Sequence, residues 1–216
     1  MNIQTLVSGD NYIYIISQNG HAIVIDPGDA SPVLRALSSQ ELACDAILVT
    51  HNHGDHTAGV SELKRQSSCI VYAPPGGRAD NVVKNEDTIA IQSMTILAMA
   101  TPGHTRNDIC YYLPEHKAVF TGDTMFVCGC GRIFGGDAAQ MLDSLQKIAS
   151  LGDDVDMYCG HDYTEENYRF ALTVEPQNEK IKKRLEEIRA IPEDGLTVPS
   201  RISVEKQTNP FVRVSE

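Results

Sequence analysis

Short apolar runs recur along the chain, and most are closed by glycine, proline, asparagine or aspartate. Runs of this length, rich in isoleucine, valine and tyrosine, predict β-strands that are buried on at least one face. The clearest pair flanks Gln18-Asn19-Gly20, because Asn-Gly is the strongest short signal for a hairpin turn. The predicted strands cover residues 12–16, 22–25, 46–49, 69–72, 87–91, 94–100, 109–113, 118–120 and 156–159.

Helical spacing appears between these strands and dominates the chain after residue 164. Ser31-Pro32 predicts a helix start, with serine as the N-cap and proline at the first helical position. Apolar residues on one face predict further helices at 59–66, 138–150, 164–173 and 178–190. Residues from 198 onward are predicted to be irregular. The pattern divides the chain into an α/β body, residues 1–163, and a C-terminal helical extension, residues 164–216.

Histidine and aspartate stand where several predicted strands end. The strand at 46–49 runs into Thr50-His51-Asn52-His53-Gly54-Asp55-His56, and three later strands are followed by His104, Asp123 and His161. Polar side chains crowded beside a buried strand cost free energy unless they bind something. Imidazole and carboxylate are ligands of zinc, iron and related ions. These strand ends therefore predict a metal site.

Seven ligands are too many for one ion and predict a dinuclear centre. One metal would take His51, His53 and His104, and the other would take Asp55, His56 and His161. Asp123 has two carboxylate oxygens and would bridge both metals, together with a hydroxide. Asp55 and Asp123 are the carboxylates predicted to take part in catalysis. Two divalent ions are expected, with zinc as the first choice, although the same ligands accept iron and manganese.

Composition and charge narrow the classes of protein that fit. The 216 residues carry a formal net charge of −11 and a pI near 5.0, which argues against nucleic acid as a partner. No apolar run reaches the roughly 18 residues of a membrane span, and no secretory signal is visible. Six irregularly spaced cysteines favour a reducing environment. We therefore expect a cytoplasmic, monomeric protein without membrane or nucleic-acid partners.

Longer motifs surround the predicted ligands. They are Gly129-Cys130-Gly131-Arg132-Ile133-Phe134, Cys159-Gly160-His161-Asp162-Tyr163-Thr164, Val174-Glu175-Pro176-Gln177-Asn178, Thr197-Val198-Pro199-Ser200 and Asn209-Pro210-Phe211. With the histidine-rich segment they extend over residues 3–213. Together they resemble the metallo-β-lactamase superfamily and, within it, the glyoxalase II (hydroxyacylglutathione hydrolase) family.

The resemblance implies a fold, an activity and a set of substrate contacts. The fold is α/β (α+β), the metallo-β-lactamase αβ/βα sandwich, with a small C-terminal helical extension that helps to hold glutathione. The reaction is hydrolysis of S-(2-hydroxyacyl)glutathione, such as S-D-lactoylglutathione, by attack of the metal-bridging hydroxide on the thioester. Arg132 falls where the family has a basic residue that holds the glycine carboxylate of glutathione, and Tyr163 falls where a tyrosine contacts the same peptide. Phe134 stands where many members carry a tyrosine.

Three other classes stay open at this point. A lactonase, or a thioesterase for another thiol carrier, would use the same centre. It is favoured by the sequence ending at Glu216, because members of the resembled family continue past Asn-Pro-Phe with a basic tail. A persulfide dioxygenase would need a single iron, bound by His51 or His53, His104 and Asp123. A metal-binding protein without catalysis is the third class.

Overall fold

The computed structural model describes residues 1–192 and 195–214. The N-terminal part of the chain forms a six-stranded sheet in the order β1 to β6. Its strands are β1 (Asn2–Ser8), β2 (Asn11–Gln18), β3 (His21–Ile25), β4 (Ala43–Leu48), β5 (Ile70–Ala73) and β6 (Asn81–Val82). The first three strands pair antiparallel, and β3 to β6 pair parallel. The predicted hairpin joins β2 to β3. β1 was missed because none of its side chains is fully buried.

Helices α1 (Ala30–Ser39) and α3 (Val60–Ser67) cover the outer face of this sheet. The short helix α2 (Gly54–Thr57) lies between β4 and α3 in the chain. The prediction that Ser31 caps α1 is wrong, because Asp29 is the N-cap and its side chain accepts a hydrogen bond from the Ser31 backbone N–H at 2.8 Å. The helix therefore begins one residue before Ser31. Buried residues of α1 and α3 form a small core with the outward-facing side chains of the sheet.

The second sheet begins with an antiparallel meander. Its strands are β7 (Thr88–Ile91), β8 (Met94–Ala100), β9 (Ile109–Leu113) and β10 (Ala118–Gly122), with a 3₁₀ turn at Pro114–His116. A short hairpin follows, formed by β11 (Met125–Phe126) and β12 (Gly129–Cys130). Helix α4 (Ala138–Ala149) then leads to β13 (Asp156–Cys159), which pairs parallel with β10. β14 (Ser200–Arg201) pairs with β13 and completes the sheet.

The two sheets face each other across the larger core. In β2, Tyr12, Tyr14 and Ile16 point into this core, whereas Ile13 and Ile15 belong to the small core under α1 and α3. The Tyr14 ring lies 5.2 Å from the ring of Phe120 and 5.4 Å from that of Tyr158, both in the opposite sheet. Burial on both faces explains why the β2 sequence is continuously apolar.

The C-terminal helices are α5 (Thr164–Val174), α6 (Glu179–Arg189) and α7 (Ile202–Thr208). The expectation that residues from 198 onward are irregular is wrong, since β14 and α7 form there. α7 directs buried polar residues, among them Glu205 and Thr208, toward the body, so it lacks the apolar stripe that marks a helix in sequence. Tyr168 and Ile181 share the larger core with the sheets. The boundary at residue 163 stays a prediction.

None of the helices in the described part of the chain has the length and apolar character needed to cross a bilayer.

Candidate metal centre

Four strand ends bring the seven predicted ligands together at one edge of the sandwich. The ligand cluster comprises His51, His53, Asp55 and His56 after β4, His104 after β8, Asp123 after β10 and His161 after β13. Backbone hydrogen bonds join these ends. The Ile109 N–H donates to the Thr50 carbonyl at 2.9 Å across the two sheets, and the Gly160 N–H donates to the Gly122 carbonyl at 2.8 Å within the second sheet.

The histidines of the first group converge on a single point. Nδ1 of His53 lies 3.1 Å from Nε2 of His51 and 3.0 Å from Nε2 of His104. In a tetrahedral zinc site with metal–nitrogen bonds of about 2.0–2.1 Å, ligand nitrogens lie about 3.3 Å apart. The spacing of the three nitrogens therefore fits one shared ion.

The second group has the same convergence with one carboxylate. Nε2 of His161 lies 3.2 Å from Nε2 of His56 and 3.4 Å from Oδ2 of Asp55. Both histidines are buried, whereas the Asp55 side chain is half exposed. This group is therefore open to a ligand from solvent on the Asp55 side.

Asp123 lies between the two groups. Its Oδ2 is 3.4 Å from Nε2 of His104 in the first group and 3.4 Å from Nε2 of His161 in the second. Its Oδ1 is 3.3 Å from Nε2 of His56, yet among the described residues this buried oxygen has no partner with hydrogen-bond geometry. A buried carboxylate oxygen without a partner is costly, and a cation beside it would satisfy it.

Hydrogen bonds set the proton positions of three histidines. His104 Nδ1 lies 2.8 Å from the Arg132 carbonyl, which can only accept, so the proton is on Nδ1 and Nε2 is bare. The Thr50 hydroxyl donates to Asp26 at 2.6 Å and must accept from Nδ1 of His51 at 3.1 Å. Nδ1 of His56 donates to Asp26 Oδ2 at 3.0 Å. In its neutral form each of the three rings therefore turns a bare Nε2 toward the centre, as metal ligands do. A metal at Nε2 of His56 would replace the proton that Asp26 and Asp123 favour there.

Asp26 is a member of the centre that the sequence interpretation missed. Its carboxylate is buried and accepts from the Thr50 backbone N–H at 2.7 Å as well as from His56 and the Thr50 hydroxyl. It therefore orients ligands of both groups without belonging to the predicted set. A signal existed, because Asp26 follows the end of β3 as the ligands follow other strands.

Burial and neighbouring charges shift the pKa values of the side chains in the cluster. Burial and, to a lesser extent, the neighbouring His56 lower the pKa of His51 to about 2. Burial alone would also lower the pKa of His56, but Asp26 and Asp123 outweigh it and raise that pKa to about 10. Burial would raise the pKa of Asp123, yet His161 and His56 hold it well below the usual range of a carboxyl. Asp123 is thus ionised and favours positive charge beside it.

Close packing around the ligands requires glycine at one strand end. A Cβ atom on Gly160 would lie 2.3 Å from Oδ1 of Asp123 and 2.8 Å from Cε1 of His56. Both distances are too short for any side chain. Gly160 therefore lets the His161 segment approach Asp123 closely enough to complete the cluster.

A cavity of about 560 Å³ opens on the cluster. Its walls include Arg132, Phe134 and Tyr163, the three predicted substrate contacts, and also Phe126 and Asn167. The Phe134 ring lies 5.4 Å from the ring of His104, and the Tyr163 ring stacks on His161 at 5.1 Å. One aromatic wall thus stands beside each ligand group.

Comparison with known families agrees with this arrangement. The metallo-β-lactamase superfamily model matches residues 8–80 and 72–161, and the model of the hydroxyacylglutathione hydrolase C-terminus matches residues 162–216. A hydroxyacylglutathione hydrolase of Dechloromonas aromatica is 43% identical over 96% of this chain and 79% of its own length. Another, of a Synechococcus species, is 43% identical over 94% of this chain and 85% of its own length. The chain belongs to the hydroxyacylglutathione hydrolase family.

Solved structures place this member of the hydroxyacylglutathione hydrolase family in the same fold. ETHE1 from Myxococcus xanthus has a TM-score of 0.77 at 27% identity, covering 97% of this chain and 84% of that one. The BLEG-1 B3 metallo-β-lactamase has a TM-score of 0.75 at 24% identity, covering 98% and 99%. The predicted metallo-β-lactamase fold and the family resemblance are confirmed. A divalent-metal cofactor follows from the fold together with the His/Asp cluster.

Proposed function

We propose that the chain hydrolyses S-(2-hydroxyacyl)glutathione, such as S-D-lactoylglutathione, to glutathione and a 2-hydroxy acid. The cofactor is a pair of divalent ions, with zinc as the expected metal. One ion would be held by His51, His53 and His104, the other by Asp55, His56 and His161, and Asp123 would lie between them. Such ions lower the pKa of bound water and polarise an acyl oxygen. The predicted monomeric state and cytoplasmic location stay predictions.

The observation that best supports this substrate is Arg132 beside the ligand cluster. Its side chain is exposed and, in the part of the chain that the structure describes, takes part in no ion pair. The guanidinium lies over the Phe134 ring, 5.8 Å from its centroid. A guanidinium binds a carboxylate through two parallel hydrogen bonds. Arg132 is therefore available to hold the glycine carboxylate of glutathione.

The two aromatic walls orient the thioester between the ligand groups. Phe134 is 63% exposed and Tyr163 is 37% exposed, so both offer ring surface to a ligand. The Tyr163 hydroxyl donates to Oδ2 of Asp10 at 2.9 Å, which fixes its ring against His161. Phe134 has no hydroxyl and contributes apolar contact alone.

The two catalytic carboxylates have different surroundings. Asp123 is buried among histidines and keeps its negative charge at the centre. The half-exposed side chain of Asp55 lines the cavity, where it would help to hold the second ion beside the attacking water. The leaving thiolate is stable near neutral pH and needs no strong acid from the protein.

A lactonase, or a thioesterase for another thiol carrier, is the second candidate. Among the described residues that line the cavity, Arg132 is the one arginine or lysine, whereas Asp55, Asp123 and Glu166 are acidic. With one such cationic side chain in the cavity, a substrate that carries a single carboxylate would fit these charges. A single-iron dioxygenase is less well supported, because it leaves Asp55, His56 and His161 without a role.

Steady-state hydrolysis separates these candidates. The metal-quantified protein is assayed with S-D-lactoylglutathione, a lactone and a thioester of a simple thiol. We expect saturable turnover with the highest kcat/KM for the glutathione thioester. A higher kcat/KM for either other substrate would replace the glutathione assignment and keep the metal-dependent hydrolase.

A further inference from the structure

The turn between β1 and β2 contacts the second ligand group from outside. Asn11 is the first residue of β2, and its side-chain Nδ2 lies 3.1 Å from Oδ2 of Asp55 and 3.2 Å from the Asp55 backbone carbonyl. An amide nitrogen has two N–H donors. Asn11 can therefore donate one to the carboxylate and one to the carbonyl of the same residue.

The same turn fixes the strand end that carries His161. Asn11 and His161 form an antiparallel bridge. The Tyr12 N–H donates to the Gly160 carbonyl at 2.8 Å, and the Asp162 N–H donates to the Asp10 carbonyl at 3.0 Å. The turn thus places His161 through the backbone and Asp55 through one side chain.

Asp55 needs an external partner more than the other ligands do. It lies on α2, a helix of four residues, and its side chain is 49% exposed. A short exposed helix leaves a carboxylate free to rotate unless something holds it. The Asn11 bond holds the oxygen that also lies 3.4 Å from Nε2 of His161. The first group has other supports, namely Thr50 for His51 and the Arg132 carbonyl for His104.

We propose that Asn11 is a positioning residue for the second metal. It orients the Asp55 carboxylate before the metal binds, so that Asp55 and His161 present their ligand atoms together. This inference rests on the two-ion centre of the proposed function. It predicts an asymmetric effect, because the contacts of Asn11 reach ligands of the second group.

The test measures the affinity of each metal in Asn11→Ala and in Asn11→Leu, which keeps the volume of asparagine. Zinc content is followed across a series of chelator concentrations, with circular dichroism and thermal unfolding to verify the fold. Loss of a hydrogen bond that orients a ligand lowers metal affinity by about 10–100-fold. We expect that loss for the second ion in both variants, with the affinity of the first ion within about twofold of wild type.

Asn178→Ala is the matched control. Nδ2 of Asn178 donates to a carboxylate oxygen of Glu175 at 2.9 Å and to the Gln207 carbonyl at 3.1 Å, and none of these residues lines the cavity at the ligand cluster. It copies the bonding of Asn11 away from the cluster, so we expect a lower melting temperature and two retained ions.

The outcomes separate the inference from the proposed function. Wild-type protein that holds one ion overturns both. Two ions in wild type, with both affinities unchanged or both weakened alike in the Asn11 variants, overturns the role of Asn11 and leaves the proposed function standing.

Discussion

The ligand cluster and the substrate rim share one cavity but are built differently. The substrate rim consists of Arg132, Phe134 and Tyr163. His51 and His56 of the cluster are 1% and 0% exposed, and hydrogen bonds fix their rings. Phe134 of the rim is 63% exposed. The cluster is therefore formed before any substrate arrives, whereas the rim keeps exposed side-chain surface that a substrate can cover.

The cluster therefore determines which reaction can occur, and the rim determines which substrate binds. A buried, hydrogen-bonded cluster can serve many reactions of one fold, because none of its parts depends on the substrate. The exposed surface of an arginine and two aromatic rings can instead contribute to the binding of one particular ligand. Substitutions in the cluster should remove metal and turnover, and substitutions in the rim should change KM with metal content intact.

Asp123→Ala should have the largest effect. It removes the carboxylate that lies within 3.4 Å of histidines from both groups and leaves their charges unbalanced. Loss of a residue that only orients a ligand costs about 10–100-fold, so loss of Asp123 should lower kcat by more than about a hundredfold and reduce bound metal. Asp143→Ala, on the exposed face of α4, is the control. Full activity of Asp123→Ala would contradict the proposed centre.

Arg132→Ala should raise KM for the glutathione thioester by about 10–100-fold, since a hydrogen bond to a charged group contributes about 1.5–3 kcal/mol. The Arg132 carbonyl that accepts from His104 is retained, so metal content should stay at the wild-type level. Kinetics and metal analysis on the same sample check both statements. Arg65→Ala, on α3, is the control. A loss of metal in Arg132→Ala would contradict the statement that the rim binds substrate without supporting the metal.

Phe134→Tyr should have a smaller and opposite effect. The added hydroxyl can donate to the glutathione backbone, and one net hydrogen bond of about 0.5–1.5 kcal/mol would lower KM by about 2–10-fold. Phe170→Tyr is a matched control, because Phe170 is also exposed and stacks on another ring, that of Phe211. An unchanged KM in Phe134→Tyr would place the glutathione backbone away from this ring.

Glu205 is another buried carboxyl, and its pKa is shifted in the opposite direction from that of Asp123. Glu205 accepts from the Cys128 backbone N–H at 2.8 Å and from Asn209 at 3.0 Å. Burial raises its pKa despite these neutral donors, whereas histidines lower that of Asp123. Because the unfolded chain ionises Glu205 first, the contribution of Glu205 to stability is present below about pH 4.3 and is lost as pH rises through the folded pKa.

The Glu205 effect is measured against Glu205→Gln, whose side chain does not titrate. The free energy of unfolding of wild type minus that of Glu205→Gln should fall as pH rises from about 4 to 7. Urea unfolding at several pH values measures this difference. A difference that rises with pH would show that the neutral donors outweigh burial.

The residues that meet in the cluster could be predicted because their sequence signal is local, whereas their role as metal ligands stays a prediction. Four ligands lie within His51 to His56, and the others directly follow strands whose apolar patterns are clear. Asn11 was missed because its partner Asp55 is 44 positions away, and no short motif links them. Helix α7 was missed because its inward face carries Glu205 and Thr208, which no apolar period reveals. The pattern of a single sequence does not reveal polar contacts between residues that are far apart in the chain.

Turnover of S-D-lactoylglutathione at stepwise metal loading tests the central claim most directly. Metal-free protein receives increasing amounts of zinc, and bound metal and the rate of thioester hydrolysis are measured on each sample. The claim predicts two bound ions per chain, a rate that rises with loading, and loss of that rate when a chelator removes the metal. Full turnover without metal, or a chain that holds two ions and does not hydrolyse the thioester, would contradict it.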